Sequence, residues 1–363
     1  MTTLHSKTEP SSSPQLIPSS TMGRSVKVSA VEGLTDRFGF FIDAKEKAIE
    51  DEYIRKYPEM PSTQKDWAAL LQRWSRAPYS TKKKYCRRGV PQSLRRTVWP
   101  LLLNSYGWAV SNIEDYQVLK SRTPVDTEVF AVIERDLGRT FPTHRWFANP
   151  NGVGQTKLRG ILRAYANMDP AVGYVQGMGF LAATLLLQIE DEESTFWAFV
   201  SLMQEPKYSM ASLYAPGFPS LYVCFHQLKK LMKHKCRRLL KRMKAYEIDP
   251  SVYATHWYLT LFSYHLSFSL LSRIWDMFLC EGWKVIHRVA ITFLLLHEKT
   301  LERARDESDF LMALRGIHEG KDADGILKKA LKVKFKTAQL LKWEAKFTAS
   351  KRKSERKKGE YEE

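Results

Sequence analysis

The side chains best placed for chemistry in this chain are Arg139 and Gln176, each standing where a helix meets a loop. Arg139 follows Ile133-Glu-Arg-Asp136-Leu-Gly and precedes Thr-Phe-Pro142. Ile133 and Asp136 fall on neighbouring parts of one helical face. Gly138 and Pro142 then end the helix, so the guanidinium projects from a defined base. Gln176 lies in Gly173-Tyr174-Val-Gln176-Gly177-Met178, between glycines that let a ligand or another backbone come close. Each has a plain alternative. A cation at a helix C-terminus gains about 0.3–1 kcal/mol from the macrodipole alone, and a glutamine is often just a polar first-turn residue. Asp136 is spaced for a hydrogen-bonded ion pair with Arg139 or for a solvated i,i+3 pair.

Other chemistries have less support. No Ser-His-Asp or Cys-His constellation calls for a covalent intermediate. His256 and His265 lack carboxylate or cysteine neighbours at a metal-ligand spacing, so they read as core or surface histidines. Gly173, Gly177 and Gly179 superficially resemble a phosphate loop. No strand precedes them and no Gly-Lys-Ser/Thr follows, so no nucleotide cradle is expected in this chain.

The elements that must position these residues carry the 3.6-residue period. Trp67, Leu70, Leu71 and Trp74 mark an amphipathic helix from Asp66. A basic linker with Lys82-Lys-Lys84 and Arg87-Arg88 follows, then a helix from Pro91 with Leu94, Val98, Leu101 and Leu102 before Gly107. Arg95 and Trp99 are one turn apart there, a core tryptophan with an arginine laid across it. Asp126 is the expected N-cap of the helix that delivers Arg139. The next helix runs from about Gly154 to Asp169-Pro170, and 180–187 is a buried apolar helix before the acidic start at 190–193. A long helix from Leu221 turns strongly basic between Lys229 and Lys244, its lysines and arginines facing outward. Asp249-Pro250 starts an aromatic-rich segment whose rings read mostly as core; further helices fall at 270–279, 285–303, 309–317 and 326–347, with Arg273 and Asp276 spaced to pair. No hairpin signal interrupts this pattern, so the expected fold is all-α, one bilobed multi-helix domain with disordered termini.

Composition bounds the partners. The 363 residues are 44% hydrophobic, enough for a sizeable core. The net charge of +18 points to an anionic partner: an acidic protein face, a phospholipid surface or nucleic acid. Nucleic acid is disfavoured, because no recognition module or aromatic-basic interleaving accompanies the charge. Cys86, Cys224, Cys236 and Cys280 are scattered, which fits a reducing cytosol. The Ser-, Thr- and Pro-rich start argues against a secretory signal, and the longest apolar run, 289–296, is too short for a span of about 20 residues. Residues 1–35 read as a disordered tail, 36–84 as an extension with an amphipathic helix and, at Phe38, Phe40 and Phe41, an extended arm docked on the domain, and 349–363 as a loose basic tail.

Three ordered motifs carry a family resemblance: Arg95-Arg-Thr-Val-Trp99, Ile133-x-x-Asp136-x-x-Arg139 and Tyr174-x-Gln176-Gly177. They resemble the signature motifs of the TBC domain, a family of GTPase-activating proteins for Rab GTPases. Arg88-Gly89-Val90-Pro91, Arg273-Ile-Trp275-Asp276 with Glu281-Gly282, and His287-Arg288-Val-Ala290 are further echoes. The resemblance covers about 85–300, with 301–348 a helical continuation, and leans toward the growth-hormone-regulated type. It implies that Arg139 is an arginine finger and Gln176 a glutamine finger, both supplied in trans to a Rab-family GTPase. Arg95, Trp99, Ile133, Asp136, Tyr174 and Gly177 would support them. GTP and Mg²⁺ would belong to the partner, leaving this protein no cofactor of its own, and the setting would be cytoplasmic, peripheral on endomembranes. The family often has Asn where this chain has Gly179, a departure that bears only on the local turn. Two rival readings keep the fold or the charge but not the catalysis: a non-catalytic GTPase-binding adaptor and a basic helical nucleic-acid binder.

Overall fold

The computed structural model describes residues 33–56, 61–112, 114–123, 127–318 and 323–359. The described residues form an all-α fold whose only β-type pairings are two isolated bridges, Thr35 with Phe41 and Phe40 with His144. The expected tail before residue 33 and the Asp126 cap lie outside the described residues.

Helix Met178–Ile189 is the axis of the N-terminal half. All twelve of its residues are buried, and Gln92–Leu103, Thr127–Leu137, Val153–Met168 and Glu192–Gln204 pack around it. A sequence of Phe180, Leu181, Leu185, Leu186 and Leu187 with no charged residue has no solvent face to offer. Each such side chain withdrawn from water contributes about 1.5–3 kcal/mol. The C-terminal half is built around Lys284–Leu296, flanked by Pro219–Lys235, Phe268–Glu281 and Ala323–Lys332. The apolar core runs unbroken through both halves, with a satellite cluster of Trp67, Leu70, Cys86, Val90, Val98 and Cys280 at the N-terminal extension.

Several boundaries differ from the sequence expectation. The basic stretch read as a linker is the helix Tyr79–Arg88. Its charges are not a solvated run: Arg87 grips Glu281 with Nε and Nη2 at 2.5 and 2.6 Å, and Lys83 reaches the same carboxylate at 3.4 Å. The single helix expected from Leu221 to Lys244 breaks at Cys236 into Pro219–Lys235 and Arg237–Ala245. Arg242 of the second piece donates to the Glu302 and Ala304 carbonyls, which docks it against Glu298–Arg303. The segment 285–303 likewise divides at His297, and 326–347 divides between Lys332 and Thr337. The tail read as loose from 349 continues the last helix, Thr337–Gly359. That helix lies antiparallel on Pro219–Lys235, with Trp343 stacked on His234, Phe347 against His226, and Lys351 over the Tyr222 ring.

Candidate functional site

Helix Thr127–Leu137 turns its apolar stripe inward, burying Ile133 and Leu137, and ends in two tight turns, Arg139 N–H to Asp136 O and Thr140 N–H to Leu137 O. Arg139 therefore leaves the last turn with its side chain about one third exposed. One guanidinium nitrogen, Nη2, is hydrogen-bonded to Asp136 Oδ1. No other bond to that guanidinium forms among the described residues, so its remaining donors face outward.

Asp136 itself is buried and works in two directions. Its Oδ2 accepts from the Tyr174 hydroxyl at 2.8 Å, so one carboxylate ties the Arg139 turn to the loop that carries Gln176. Burial, and then the Asp136 charge, push the Tyr174 hydroxyl well above its ordinary pKa, so it remains a donor. The two loops also touch at Gly179, where an added Cβ would lie 3.0 Å from Thr140 Oγ1 and 3.2 Å from the Tyr174 hydroxyl. A larger residue at 179 would have to shift that contact.

Gln176 is half-buried at the entrance to helix Met178–Ile189, and its amide makes no hydrogen bond among the described residues. Gly177 follows with φ +107°, a left-handed conformation that an L side chain rarely adopts, and this turn starts the helix directly after Gln176. A third wall comes from 255–264. Thr260 lies 3.5 Å from where a Gly177 Cβ would sit. Tyr264, exposed, stacks on His256 at 5.0 Å and meets Phe180 edge-on at 5.3 Å. Burial, then the nearby Arg139 charge, lower the His256 pKa, so this wall stays neutral beside the guanidinium. Sequence reading left His256 as a core or surface histidine and took most of the aromatics here as core; their place beside the site is set by long-range contacts that local spacing does not encode.

Arg95 and Trp99 form a separate centre beneath helix Met178–Ile189. Arg95 donates Nε and Nη2 to the two oxygens of Asp276 at 3.0 and 3.1 Å, Trp99 Nε1 donates to Asp276 Oδ1 at 2.8 Å, and the Val90 N–H to Oδ2 at 2.9 Å. Trp99 also stacks on Trp275 at 5.6 Å. The expected Arg273–Asp276 pair is therefore corrected. Asp276 is saturated by the first motif, and Arg273 instead bonds Asp324 and the Arg88 carbonyl. Positions 273 and 276 are three apart on the helix, but Asp276 points into the core while Arg273 points toward the N-terminal extension.

Among the described residues there is no group of three or more His, Cys, Asp or Glu side chains that would hold a metal ion, and no helix is long and apolar enough to cross a membrane.

Comparison with known proteins agrees with this architecture. The family model for the Rab-GTPase-TBC domain matches residues 92–302. Mouse Carabin is 33% identical over 240 residues, 65% of this chain and 53% of Carabin. Human TBC1 domain family member 10B is 31% identical over 76% of this chain and 34% of its own length. The chain thus spans only about a third to a half of those relatives. The crystal structure of the Chlamydomonas flagellar RabGAP TBC domain superposes with a TM-score of 0.64 at 25% identity, covering 82% of this chain and 98% of that one. The Ypt/Rab-GAP domain of Gyp1p follows at 0.59 and 18% identity, a likeness of fold. The order and placement of the three motifs on this all-α scaffold, together with these matches, establish that the chain belongs to the Rab-GTPase-TBC domain family.

Proposed function

We propose that this protein accelerates GTP hydrolysis by a Rab-family GTPase, inserting Arg139 and Gln176 together into the partner's nucleotide site. GTP hydrolysis is slow where charge spreading over the γ-phosphoryl oxygens is uncompensated and the attacking water is loosely held. The Arg139 guanidinium would meet that charge, and an arginine supplied in trans is worth about 10³–10⁵ in rate. The Gln176 carboxamide, with both an acceptor and donors, would orient the water. Nucleotide and Mg²⁺ would be the partner's.

The observation that carries this reading is the division of labour around Asp136. The carboxylate takes one arginine nitrogen and the Tyr174 hydroxyl, leaving the rest of the guanidinium and the whole Gln176 amide uncommitted at neighbouring loops. The Chlamydomonas domain, named as a RabGAP, supports the same activity class. A role in vesicle traffic from the cytoplasm follows from that class. The acid-free stretch 219–246, whose lysines and arginines are mostly outward, suits peripheral contact with an anionic membrane.

The test is single-turnover GTP hydrolysis across a panel of Rab proteins. Wild type should accelerate at least one member, and Gln176→Ala should remove nearly all of that stimulation while binding persists. Binding without any acceleration by the wild-type chain would favour the adaptor instead.

A further inference from the structure

The matched family domain begins at residue 92, yet the loop that carries Arg139 is held by residues far upstream of it. Residues 34–42 fold into a compact turn in which Asp36 Oδ1 accepts the N–H groups of Phe38 and Phe40, each at 2.9 Å. This turn lies along the 139–147 loop. Phe41 N–H donates to Thr143 O at 2.8 Å, and Arg145 N–H donates to Gly39 O at 3.0 Å. His144 closes the contact: its Nε2 lies 2.8 Å from Phe38 O, a group that can only accept, and its Nδ1 accepts from the Trp146 N–H at 3.1 Å. Those two bonds fix a neutral ring with its proton on Nε2.

The side chains extend the grip toward the site. Phe40 meets Phe141 edge-on at 5.5 Å and His144 at 4.8 Å; Phe141 meets Phe180 at 5.4 Å, and Phe180 meets Tyr264 at 5.3 Å. Phe141 stands two residues after Arg139 and holds φ +48°, a conformation a phenylalanine adopts only when its surroundings enforce it. Gly39, at φ +95°, could not carry a side chain, since its Cβ would fall 2.7 Å from His144 Nε2. The loop is therefore pinned on one side by Asp136 and Thr140 and on the other by this turn.

We propose that residues 34–42 are a positioning clamp for Arg139, setting the finger loop from upstream of the residues that the family model matches. The proposal rests on the finger assignment for its consequence in rate, but its physical content, a loop held by the turn, can be measured separately. The full-length chain carrying Phe40→Ala, and a second carrying Gly39→Ala, are compared with wild type and with Leu340→Ala, a core truncation in the last helix remote from the loop. Hydrogen exchange is followed at the Thr140 and His144 amides, whose acceptors are Leu137 O and Phe141 O and not the clamp itself. Exchange there should quicken about tenfold in both clamp variants, while helix Met178–Ile189 and the Leu340→Ala control keep wild-type rates at the same amides.

With a responding Rab, the rate at saturating concentration should fall about tenfold in the clamp variants, the half-saturating concentration staying within twofold, because a misplaced catalytic group costs turnover more than encounter. Unchanged exchange at Thr140 and His144, equal quickening throughout the protein, or a saturating rate within twofold of wild type overturns the clamp. Failure of the finger assignment looks different: wild type stimulates no Rab, or Arg139→Ala stimulates as well as wild type. The exchange measurement then decides the clamp alone.

Discussion

Two buried aspartates in this molecule each hold an arginine and an aromatic donor, and the contrast between them separates scaffold from site. Asp276 takes two nitrogens of Arg95, the Trp99 indole and the Val90 N–H, while Gln92 accepts from another Arg95 nitrogen at 2.5 Å. Arg95 is 4% exposed and nearly used up. Asp136 takes one nitrogen of Arg139 and the Tyr174 hydroxyl, and Arg139 keeps donors to spare in water. The same chemistry thus serves two ends. A buried guanidinium bonded through all three nitrogens can only hold a core together, whereas one steadied at a single nitrogen presents a fixed cation to something outside.

The contrast can be broken most forcefully at Arg139. Arg139→Ala should lower the saturating Rab-stimulated rate by at least about 10³-fold. It should cost the fold no more than about 1–2 kcal/mol, since the pair is partly exposed and Asp136 retains Tyr174. A thermal unfolding scan beside the kinetic assay distinguishes the two effects. Asp276→Ala should behave in the opposite way. It leaves Arg95 buried without its counter-charge, a loss of about 3–5 kcal/mol by denaturant unfolding, with stimulation per folded molecule close to wild type.

Acid should probe three buried neutral histidines that lie outside both centres: His144 against the 34–42 turn, His287 bonded to Tyr258 and Gln227, and His318 bonded to Trp257. Burial lowers the pKa of His144 to about 4 and those of His287 and His318 to about 3. Unfolded, each titrates near 6.5, so between that pH and the folded value the unfolded chain binds more protons. Stability should therefore be at its full value above about pH 6.5 and fall as the pH drops toward 4, with His144 alone accounting for about 3 kcal/mol across that window. Urea unfolding midpoints at pH 7.5, 6 and 5 would show the slope, and His144→Gln should shallow it. The smallest effect belongs to Tyr174→Phe. Removing one hydroxyl from a buried carboxylate should cost about 1.5–3 kcal/mol and slow stimulation about tenfold, by loosening the Arg139 turn without removing the cation. Tyr174→Phe with a wild-type rate would mean that the bridge steadies the fold only.

Much of this arrangement was legible from the chain. The Gly138 and Pro142 stop put Arg139 at a helix end, and the uncharged stretch from Phe180 onward marked the buried axis. The misread parts share one cause, that their determinants lie far away in sequence. Apolar positions run on in register through Met232, Cys236, Leu239 and Met243, so spacing gives no hint of the break at Cys236, which follows from docking Arg242 on the 302–304 carbonyls. Tyr79–Arg88 has few apolar residues to reveal a helix, because its stabilising partner is the carboxylate of Glu281. Asp276 looked like a partner for Arg273 at i,i+3, and only the tertiary structure shows that it belongs to Arg95 and Trp99. Phe38, Phe40 and Phe41 were expected to dock as an extended arm; the segment is instead a compact turn closed by Asp36, and its neighbour Phe141 and the loop it restrains were not foreseen.

The central claim is that Arg139 acts through a planar, fixed guanidinium and not through charge alone. The most direct measurement is the saturating single-turnover rate of GTP hydrolysis by a responding Rab with Arg139→Lys, a variant that keeps the positive charge. A rate close to that of Arg139→Ala, with the variant folded and still bound to the GTPase, is the expected result; a rate close to wild type would contradict the account.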